Sequence, residues 1–586
     1  MKLFNNIKNT INNTKASFKR FPLAMIFAIL SAIYFCVNIH GGKVENYTGR
    51  TIKTALLFLI ASVIFTAVAL FLEGLKFTNK DQEDFQKYKL IKLGTYLLTL
   101  PLLYGIKENI LPEDIKLFGY NNEYKYFGLL LFFIVVCFYI SKIFYHKNYI
   151  AYVVKIIESI FVSILYSVVL YLGIVAIYEL LVHLLDINLT DKILMDSAVI
   201  IFIPFNIGIM LSNFPKMETS LDNYEIGKAF KILLEFILMP IITVYLIILY
   251  VYIFKILFLR QLPKNILVNL ILWFSIFVVG YLFINRIIRN SALSRDFRRI
   301  CPLMMLPVLV VMFFAISIRV KEYGITENRY IVIAFGIWAV LSMIYYIFYK
   351  SNSNITIPIM LSIIILLATV GPLSAFNVSL NSQNRRLEKV LKANDMINGT
   401  KIIPKSDISM ADKNKISEIV KYLTNSYKNY QIRFIPNDFT FNNEDMKEVF
   451  GFEIPLNEES YSENQNIYYN IDENTSIDIS GYDNFTNINS TSNKTVGKYI
   501  INAEEDGVSI KYLNDKNKKK DLAFINIADL KNKLKILKKA NTTINPEDLA
   551  IKGKSNGINY KIIFSSVYVS DNDSYFEVAF YLLTNE

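Results

Sequence analysis

The chain has 586 residues, of which 53% are hydrophobic, with a mean hydropathy of +0.35 and a formal net charge of +12. Its apolar residues lie in runs of about 18 to 25, long enough to span a hydrocarbon core of about 30 Å, which excludes an ordinary soluble protein. Basic and acidic residues nearly balance after residue 377, so the positive surplus belongs to the apolar part and indicates membrane topology rather than nucleic-acid binding.

The first segment, residues 1–20, is basic and contains no acid. Its apolar residues recur at helical spacing among lysines, which predicts an amphipathic helix on the anionic inner leaflet. A disordered basic tail that only sets orientation is the alternative. No small-residue cleavage signature follows the apolar run that begins at Phe21, so the segment is not predicted to be a signal peptide.

Eleven apolar stretches predict a transmembrane helical domain over residues 21–372. The third is short and contains Pro101, so a tilted or re-entrant segment is an alternative that would change the parity of the crossings. The predicted spans are residues 21–37, 54–72, 90–103, 127–144, 157–181, 197–211, 230–254, 266–284, 303–318, 331–348 and 355–370.

Lysine and arginine predict the orientation, because they concentrate on the cytoplasmic side of membrane proteins. The basic amino terminus and the arginine-rich segment 286–299 fall on the same side if eleven spans is correct. We therefore expect a multi-pass protein of the bacterial cytoplasmic membrane with a cytoplasmic amino terminus. Residues 373–586 are then an extracytoplasmic domain.

The polar carboxyl-terminal part is expected to fold as an α+β domain with a mainly antiparallel sheet. Its patterns predict helices at residues 385–396, 412–426 and 527–539. They predict strands at residues 467–471, 476–479, 499–502, 508–513, 558–570 and 575–583. The predicted fold class is thus a polytopic α-helical membrane protein with a carboxyl-terminal soluble α+β domain.

The sequence excludes several kinds of chemistry and identifies none. The three histidines, His40, His146 and His183, all precede the polar domain, which therefore has no Ser-His or Cys-His pair and no zinc site of the usual ligands. Phosphate-binding and dinucleotide-binding glycine motifs are also missing. An acidic stretch at residues 438–483 does not match the EF-hand spacing and is most simply a solvated face. No catalytic residue, cofactor or metal is predicted, and an enzyme is disfavoured.

Three polar residues within the spans are candidates for an intramembrane site, because such residues are costly in hydrocarbon and tend to face a partner or a water-filled path. They are Glu158, Asn206, which follows Pro204, and Glu235. A transport site would bring the three together around a helix broken by Pro204. The structural alternative has Glu158 paired with Lys155, Asn206 bonded to a neighbouring helix and Glu235 extended to the interface.

Residues 319–330, with the sequence RVKEYGITENRY, and Trp338 beyond them form the most distinctive segment. With residues 371–375, Ser382-Gln383, Arg386-Leu387 and residues 480–483, this segment resembles the signature of a bacterial integral membrane-protein family known as domain of unknown function 4153. The resemblance extends from the first span to the carboxyl end. It implies a many-span membrane protein and carries over no catalytic residue.

The same segment also predicts a tight helical hairpin at the outer interface. Gly324 ends one helix with a positive φ, Thr326 caps the next, and Glu327 lies at the positive end of that helix. Arg319, Glu322 and Arg329 would link the two helix ends. Contact of Arg319 and Arg329 with an anion or a lipid headgroup is the functional alternative.

Three classes of function remain open. The first is an envelope binding or scaffolding protein that works through its exported domain, with an envelope protein, a lipid or a cell-wall polymer as ligand. The second is a transporter or lipid flippase. The third, a membrane glycosyltransferase, is disfavoured because the first outer loop is short and contains only Glu45.

Overall fold

We describe the fold from a computed structural model of the chain. The structure describes residues 15, 17–41, 45–78, 84–111, 122–187, 189–219, 221–222, 224, 226–259, 265–288, 291–349, 354–399, 401–455, 467–471, 476–488, 494–504, 506–513, 518–540, 545–570 and 576–585. Most of the predicted amphipathic segment 1–20 lies outside these residues.

The chain forms two compact units, residues 1–453 and residues 454–586. We call them the helical unit and the β-rich unit. The predicted domain boundary after residue 372 does not coincide with the boundary between these units. Residues 375–453 instead pack with the apolar helices, because their helices bury Phe376, Leu387 and Ile416 and bond to the hairpin loop described below.

The helical unit is built from sixteen α-helices within the described residues, which we number in chain order. They are α1 Pro22–His40, α2 Glu45–Thr78, α3 Asp84–Ile110, α4 Asn122–Tyr139, α5 Tyr149–Leu184, α6 Lys192–Ile200, α7 Asn206–Ser212, α8 Lys228–Ile232, α9 Met239–Leu259, α10 Asn265–Asn285, α11 Ala292–Tyr323, α12 Glu327–Phe348, α13 Thr356–Thr369, α14 Ala375–Ala393, α15 Met410–Ser426 and α16 Asn443–Phe450. Two π-helical segments, Ile201–Phe205 and Leu233–Leu238, join α6 to α7 and α8 to α9. A short strand pair, β1 Ile397–Asn398 and β2 Lys401–Ile402, follows α14.

Nine helical stretches in the described part of the chain are long and apolar enough to cross a membrane. They are Pro22–His40, Gly49–Thr78, Asn122–Lys142, Tyr149–Leu184, Lys192–Ser212, Lys228–Ile256, Leu267–Asn285, Ala292–Tyr323 and Glu327–Phe348. Each overlaps one of the predicted spans. The protein is therefore a multi-pass membrane protein, as the sequence predicts.

The other two predicted spans are also helices but have shorter apolar stretches. Helix α3 holds the third predicted span and has Pro101 within it. Its ends carry lysines, so the apolar stretch between them is too short to count among the nine. Helix α13 holds the eleventh predicted span and has 14 residues.

Hydrogen bonds from serine hydroxyls to backbone carbonyls and a partly buried ion pair hold the first helices together. The Ser31 hydroxyl donates to the Ala55 carbonyl at 2.8 Å, and the Ser62 hydroxyl donates to the Ala24 carbonyl at 2.8 Å, so each of α1 and α2 bonds the other's backbone. At one end of α1, the Arg20 guanidinium binds both carboxylate oxygens of Glu73 at 2.7 Å. Such bidentate pairing fixes geometry as well as charge.

The β-rich unit contains two antiparallel sheets. One has the strand order β3-β10-β11-β4, with β9 also paired to β10, and the other has the order β5-β6-β7-β8. The strands are β3 Ile467–Asn470, β4 Asn484–Ile488, β5 Lys494–Val496, β6 Tyr499–Glu504, β7 Gly507–Leu513, β8 Lys519–Asn526, β9 Ile551–Ser555, β10 Ile558–Val569 and β11 Phe576–Asn585. Helices α17 Ile527–Ala540 and α18 Pro546–Leu549 complete the unit.

A single hydrophobic cluster joins the two sheets and α17. Ile501 and Ile510 come from one sheet, Phe564 and Phe580 from the other, and Leu534 from the helix, and all five are fully buried. The fold class predicted from the sequence, apolar helices followed by an α+β domain, is therefore confirmed. The strand predicted at residues 476–479 is wrong, because those residues form a loop.

Gly74 offers a test of how tightly the membrane helices pack. A Cβ atom at Gly74 would lie 2.4 Å from the Ser141 carbonyl oxygen, whereas one at Gly280 would meet no atom within 4 Å. We expect Gly74→Ala to lower the melting temperature of the detergent-solubilised protein, because the backbone segment at Ser141 must move. Gly280→Ala should leave it equal or higher, since alanine is favoured over glycine in a helix by about 1 kcal/mol. Equal melting temperatures for the two variants would contradict this packing.

Candidate functional site

Glu158 lies on α5 and is held at the helix surface. Lys155 donates to its Oε2 at 2.7 Å, and the hydroxyl of Tyr224 donates to its Oε1. Burial and the adjacent Glu158 carboxylate raise the pKa of Tyr224, so the tyrosine stays a proton donor. The Glu158 side chain is 47% exposed. Its charge is thus balanced locally by Lys155.

Asn206 joins α7 to the neighbouring α5. Its amide nitrogen donates to the Ser167 hydroxyl at 3.0 Å, and one turn further along α7 the Met210 carbonyl accepts from Ser159 at 2.6 Å. The π-helical segment that contains Pro204 ends immediately before Asn206. Polar hydrogen bonds therefore run along the contact between α5 and α7. This is the arrangement expected of polar side chains that join helices in a membrane.

Glu235 is the most deeply buried of the three candidate residues, with a residue exposure of 4%. It lies in the π-helical segment Leu233–Leu238 and accepts a hydrogen bond from the Ser294 hydroxyl at 2.8 Å, while Lys231 lies 4.0 Å from its other oxygen. The Glu235 carboxylate is therefore enclosed by neighbouring helices, and its position relative to the membrane interface stays a prediction.

Around Glu235 the polar contacts continue into α10 and α11. The Asn285 amide donates to the Tyr281 hydroxyl at 2.7 Å, and Arg298 donates to the Asn285 side-chain oxygen at 2.8 Å. The Tyr281 hydroxyl in turn donates to the Leu234 carbonyl at 3.0 Å, beside Glu235. A π-helical segment breaks the regular i to i−4 bonding, which frees backbone carbonyls for such contacts.

The three predicted intramembrane residues do not share contacts. Among the described residues, no hydrogen bond or ion pair joins Glu235 to Glu158 or to Asn206, and each bonds a different set of partners. Glu158 and Asn206 both bond along the first half of α5, whereas Glu235 belongs to the α10–α11 network. Convergence of the three at one site remains a prediction from sequence.

The predicted hairpin joins α11 and α12 through a loop of three residues, Gly324 to Thr326. Gly324 has a φ of 71°, a value that favours glycine. Thr326 occupies the N-cap position in an extended conformation, but its side chain makes no capping bond. Arg329 makes the link between the helix ends by donating to the Gly324 carbonyl at 2.9 Å.

Arg319 and Glu322, the other two residues of the predicted interface motif, lie in the last turns of α11. Glu322 is exposed and Arg319 is half-buried. The contact that joins the helix ends is therefore made by Arg329 with backbone carbonyls rather than by a charge pair with Glu322.

Helix α14, at the start of the polar part of the chain, binds this loop directly. The Ser382 hydroxyl accepts from the Ile325 N–H at 2.9 Å, and the Gln383 amide donates to the carbonyls of Tyr323 at 3.0 Å and Ile325 at 3.1 Å. Arg386 adds a bond to the Tyr323 carbonyl at 3.4 Å. We call the loop residues Tyr323 to Ile325 and the α14 residues Ser382, Gln383 and Arg386 together the hairpin clamp. Sequence analysis marked both segments as distinctive but did not predict that they meet.

Glu327, the first residue of α12, ties the hairpin to α15. Its carboxylate accepts hydrogen bonds from the hydroxyls of Tyr422 and Tyr427. Burial, together with the Glu327 carboxylate, raises the pKa of both tyrosines and keeps them as donors. The helix amino terminus also favours a negative charge at this position. The sequence indicates Glu327 but gives no signal for the two tyrosines, which lie 95 and 100 residues away.

The β-rich unit has a polar cleft of about 630 Å³. Its lining consists of the loop at residues 480–482, residues 552–554 of β9, and Asn559 and Tyr560 of β10. Tyr560 pairs with Gly553 across the β9–β10 ladder, and a Cβ atom at Gly553 would lie 2.4 Å from the Tyr560 hydroxyl. The tyrosine ring therefore occupies the space that a side chain at residue 553 would fill.

Short polar contacts fix the cleft loop. The Ser480 N–H and hydroxyl donate to Asp478 at 2.9 Å and 2.6 Å, and these bonds lower the pKa of Asp478. Asn585 donates to the Gly481 carbonyl at 3.2 Å, and Gly481 has a φ of 82°. The loop is thus held by the bonds between Ser480 and Asp478 within its own turn and by the bond from Asn585 of β11.

Comparison of the chain with known proteins gives one match, which is to a protein family. The family model described as a domain of unknown function, DUF4153, matches residues 21–401, which is more than half of the chain. The chain belongs to the DUF4153 family. No curated protein and no solved structure matches it.

The DUF4153 match covers the membrane helices and both segments of the hairpin clamp, since it includes residues 319–330 and 371–387. It ends at residue 401, so the extension of the resemblance to the carboxyl end is not part of the match. The third segment of the resemblance, residues 480–483, lies in the β-rich unit beyond it. In this DUF4153 protein the hairpin clamp therefore lies within the residues that the family model matches, and the polar cleft lies outside those residues.

We expect the hairpin clamp to stabilise the folded protein, and substitutions at Gly324 test this expectation. A Cβ atom at Gly324 would lie 2.9 Å from the Gln383 amide nitrogen and 3.2 Å from the Ser382 hydroxyl, whereas one at Gly371, with a φ of 85°, would meet open space. Both Gly324→Ala and Gly371→Ala incur the cost of a positive φ, about 1 to 3 kcal/mol, and the ψ of −179° at Gly324 places that residue in a region that is almost restricted to glycine. Only Gly324→Ala also displaces the clamp.

The measurement is the melting temperature of each variant of the full-length protein in detergent. Gly324→Ala should melt several degrees below Gly371→Ala, and Gly324→Val should fall further because a β-branched residue resists a positive φ. Gln383→Ala should also lower the melting temperature, since it leaves two loop carbonyls without their donor. If Gly324→Val is as abundant and as heat-resistant as wild type, the clamp does not hold the hairpin.

Proposed function

We propose that this DUF4153 protein is a binding protein of the bacterial cell envelope. The helical unit anchors it in the cytoplasmic membrane, and the β-rich unit binds an envelope ligand outside the cell. The observation that carries the proposal is the polar cleft of about 630 Å³ in the β-rich unit, whose lining includes Tyr482, Asn559, Lys552 and Lys554.

Two further observations support a binding role. The β-rich unit has a hydrophobic core of its own, so its sheets position the cleft without help from the membrane helices. The distribution of basic residues favours a cytoplasmic amino terminus, and an odd number of crossings then puts the carboxyl terminus outside. A ligand of the wall or outer surface would then reach the cleft directly.

Orientation is the first test of the proposal. In a background with Cys36, Cys137 and Cys301 replaced by alanine, Lys19→Cys and Lys520→Cys introduce single exposed thiols at the two ends of the chain. In intact cells an impermeant maleimide should label the thiol at residue 520, and it should label the thiol at residue 19 only after lysis. The reverse pattern, or the same result at both positions in intact cells, would overturn the proposal.

A transporter or lipid flippase is the second candidate function, and Glu235 is the observation that favours it. A buried carboxylate in a π-helical segment is a common feature of membrane sites that bind or release protons and ions. Among the described residues, its ion-pair partner Lys231 is 4.0 Å away, and its hydrogen-bond donor is the neutral hydroxyl of Ser294. The carboxylate is therefore less completely paired than Glu158.

Glu235→Gln separates the two functions, with Glu158→Gln as the matched control. The amide keeps the size of the side chain and its hydrogen bond from Ser294 but carries no charge and exchanges no proton. We expect both variants to complement a deletion mutant, because the binding role does not use Glu235. A Glu235→Gln protein that keeps its melting temperature and its amount in the membrane but fails to complement, while Glu158→Gln succeeds, would favour transport instead.

A further inference from the structure

We infer that three arginines at the hairpin between α11 and α12 bind a phosphate group, which an anionic lipid supplies at the membrane surface. They are Arg319, Arg329 and Arg386, and we call them the arginine cluster. The inference goes beyond the proposed function, because the site belongs to the helical unit and does not depend on the β-rich unit. It rests on where the three side chains meet, on the donors that they leave unused, and on their lack of ion-pair partners.

The contact between α11 and α12 brings Arg319 and Arg329 together. A Cβ atom at Gly336 of α12 would lie 2.6 Å from the side chain of Met312 of α11, so these two residues mark the touching faces of the helices. Arg319 follows Met312 by seven residues, and Arg329 precedes Gly336 by seven. Seven residues return a helix to nearly the same face. Both arginines therefore lie on the facing sides of the hairpin, two turns nearer to its loop.

Arg386 reaches the same place from α14. The Nη1 groups of Arg329 and Arg386 both donate to the Tyr323 carbonyl, each at 3.4 Å. The guanidinium carbons of these two arginines lie 5.5 Å and 5.9 Å from the centre of the Tyr323 ring. Repulsion from Arg319 and Arg386 is the strongest electrostatic interaction of Arg329. Three positive charges are thus held close together.

The guanidinium groups keep donors for a ligand. Arg329 and Arg386 bond the loop through Nη1, and among the described residues their Nε and Nη2 groups make no hydrogen bond. Arg319 makes neither a hydrogen bond nor an ion pair within the same part of the chain. Nε and Nη2 are parallel donors, and such a pair binds two oxygens of one phosphate.

Neighbouring carboxylates leave the arginine cluster without an ion pair. Glu322 and Glu418 are exposed and attract Arg386, but neither forms an ion pair with a member of the cluster in the described part of the chain. Glu327 is bonded to the two tyrosines of α15 instead. A partly buried charge without a partner lowers stability, and a bound anion removes that cost. The cluster therefore has positive charge and donors that a phosphate group satisfies.

The position of the arginine cluster favours a lipid as the source of the phosphate. The hairpin loop joins Ala292–Tyr323 to Glu327–Phe348, and each of these stretches is long and apolar enough to cross a membrane. The loop therefore lies where the bilayer meets water. Lipid phosphates are concentrated in that layer, so an anionic lipid reaches the cluster by diffusing within the membrane.

The test measures the melting temperature of the full-length protein in detergent as phosphatidylglycerol is added. Wild type should melt several degrees higher with the lipid, because a ligand that binds only the folded protein stabilises it. Arg319→Gln should bind the lipid about tenfold more weakly, since it removes one charged pair of donors. Without lipid, this variant should melt at or above the wild-type temperature, because it breaks no hydrogen bond and relieves repulsion.

Lys321→Gln is the matched control, because it removes the same charge from the same end of α11. Lys321 follows the exposed Phe314 by seven residues and is itself exposed, so it lies on the outward side of the helix. It makes no hydrogen bond or ion pair among the described residues. Lys321→Gln should therefore respond to phosphatidylglycerol like wild type. Arg319→Lys, which keeps the charge but not the parallel donors, should give an intermediate shift.

Inorganic phosphate and uncharged diacylglycerol, each added alone, identify what the cluster recognises. Phosphatidylglycerol should raise the wild-type melting temperature more than either. A shift of the same size with inorganic phosphate, lost in Arg319→Gln, would retain the phosphate site but overturn the lipid as its source. An equal shift with diacylglycerol would overturn phosphate recognition.

Three further results would overturn the site itself. The first is a wild-type melting temperature that phosphatidylglycerol does not change. The second is an equal response of Arg319→Gln and Lys321→Gln, which would indicate a general effect of surface charge. The third is an Arg319→Gln protein that melts well below wild type without lipid, which would make the arginine a structural residue.

Discussion

Hydrocarbon supplies no hydrogen-bond partner, and this constraint governs most of the polar side chains in the helical unit. Ser31, Ser62 and Ser159 all donate to backbone carbonyls of a neighbouring helix rather than to one another. Small hydroxyl side chains let two helices approach closely while both keep their polar atoms satisfied. The glycine at residue 74 extends the same principle, because backbone lies directly against backbone there.

The membrane helices were predictable from sequence because hydropathy and length are strong signals over about 20 residues. The two π-helical segments, which contain Pro204 and Glu235, were not, because hydropathy does not distinguish a π-helical turn from an α-helical one. In the polar part the long strands β10 and β11 follow clear β-branched patterns, whereas residues 476–479 have a strand-like pattern but form a loop below the cleft. Local sequence patterns alone therefore do not specify the π-helical segments or the loop at residues 476–479.

The site contacts were harder to predict than the fold. Sequence analysis identified Gly324 from its residue type, and the hairpin has the positive φ that glycine allows. The partners of the hairpin, Gln383 and Tyr427, are 60 and 100 residues from the atoms they bind, and a single sequence carries no signal for such pairs. The cleft depends on strand register, because Tyr560 lies opposite Gly553 only in the observed β9–β10 pairing.

The hairpin clamp also constrains how the protein is made. The loop between α11 and α12 receives bonds from residues that follow it by 57 to 63 positions. At a synthesis rate of about 5 to 20 residues per second, the loop waits roughly 3 to 13 s before residues 382–386 of α14 have been synthesised. Until then water must hydrate the carbonyls of Tyr323 and Ile325. The last membrane helices therefore reach their final packing only after the chain beyond residue 386 has been synthesised, so assembly of the bundle finishes from its carboxyl-terminal side.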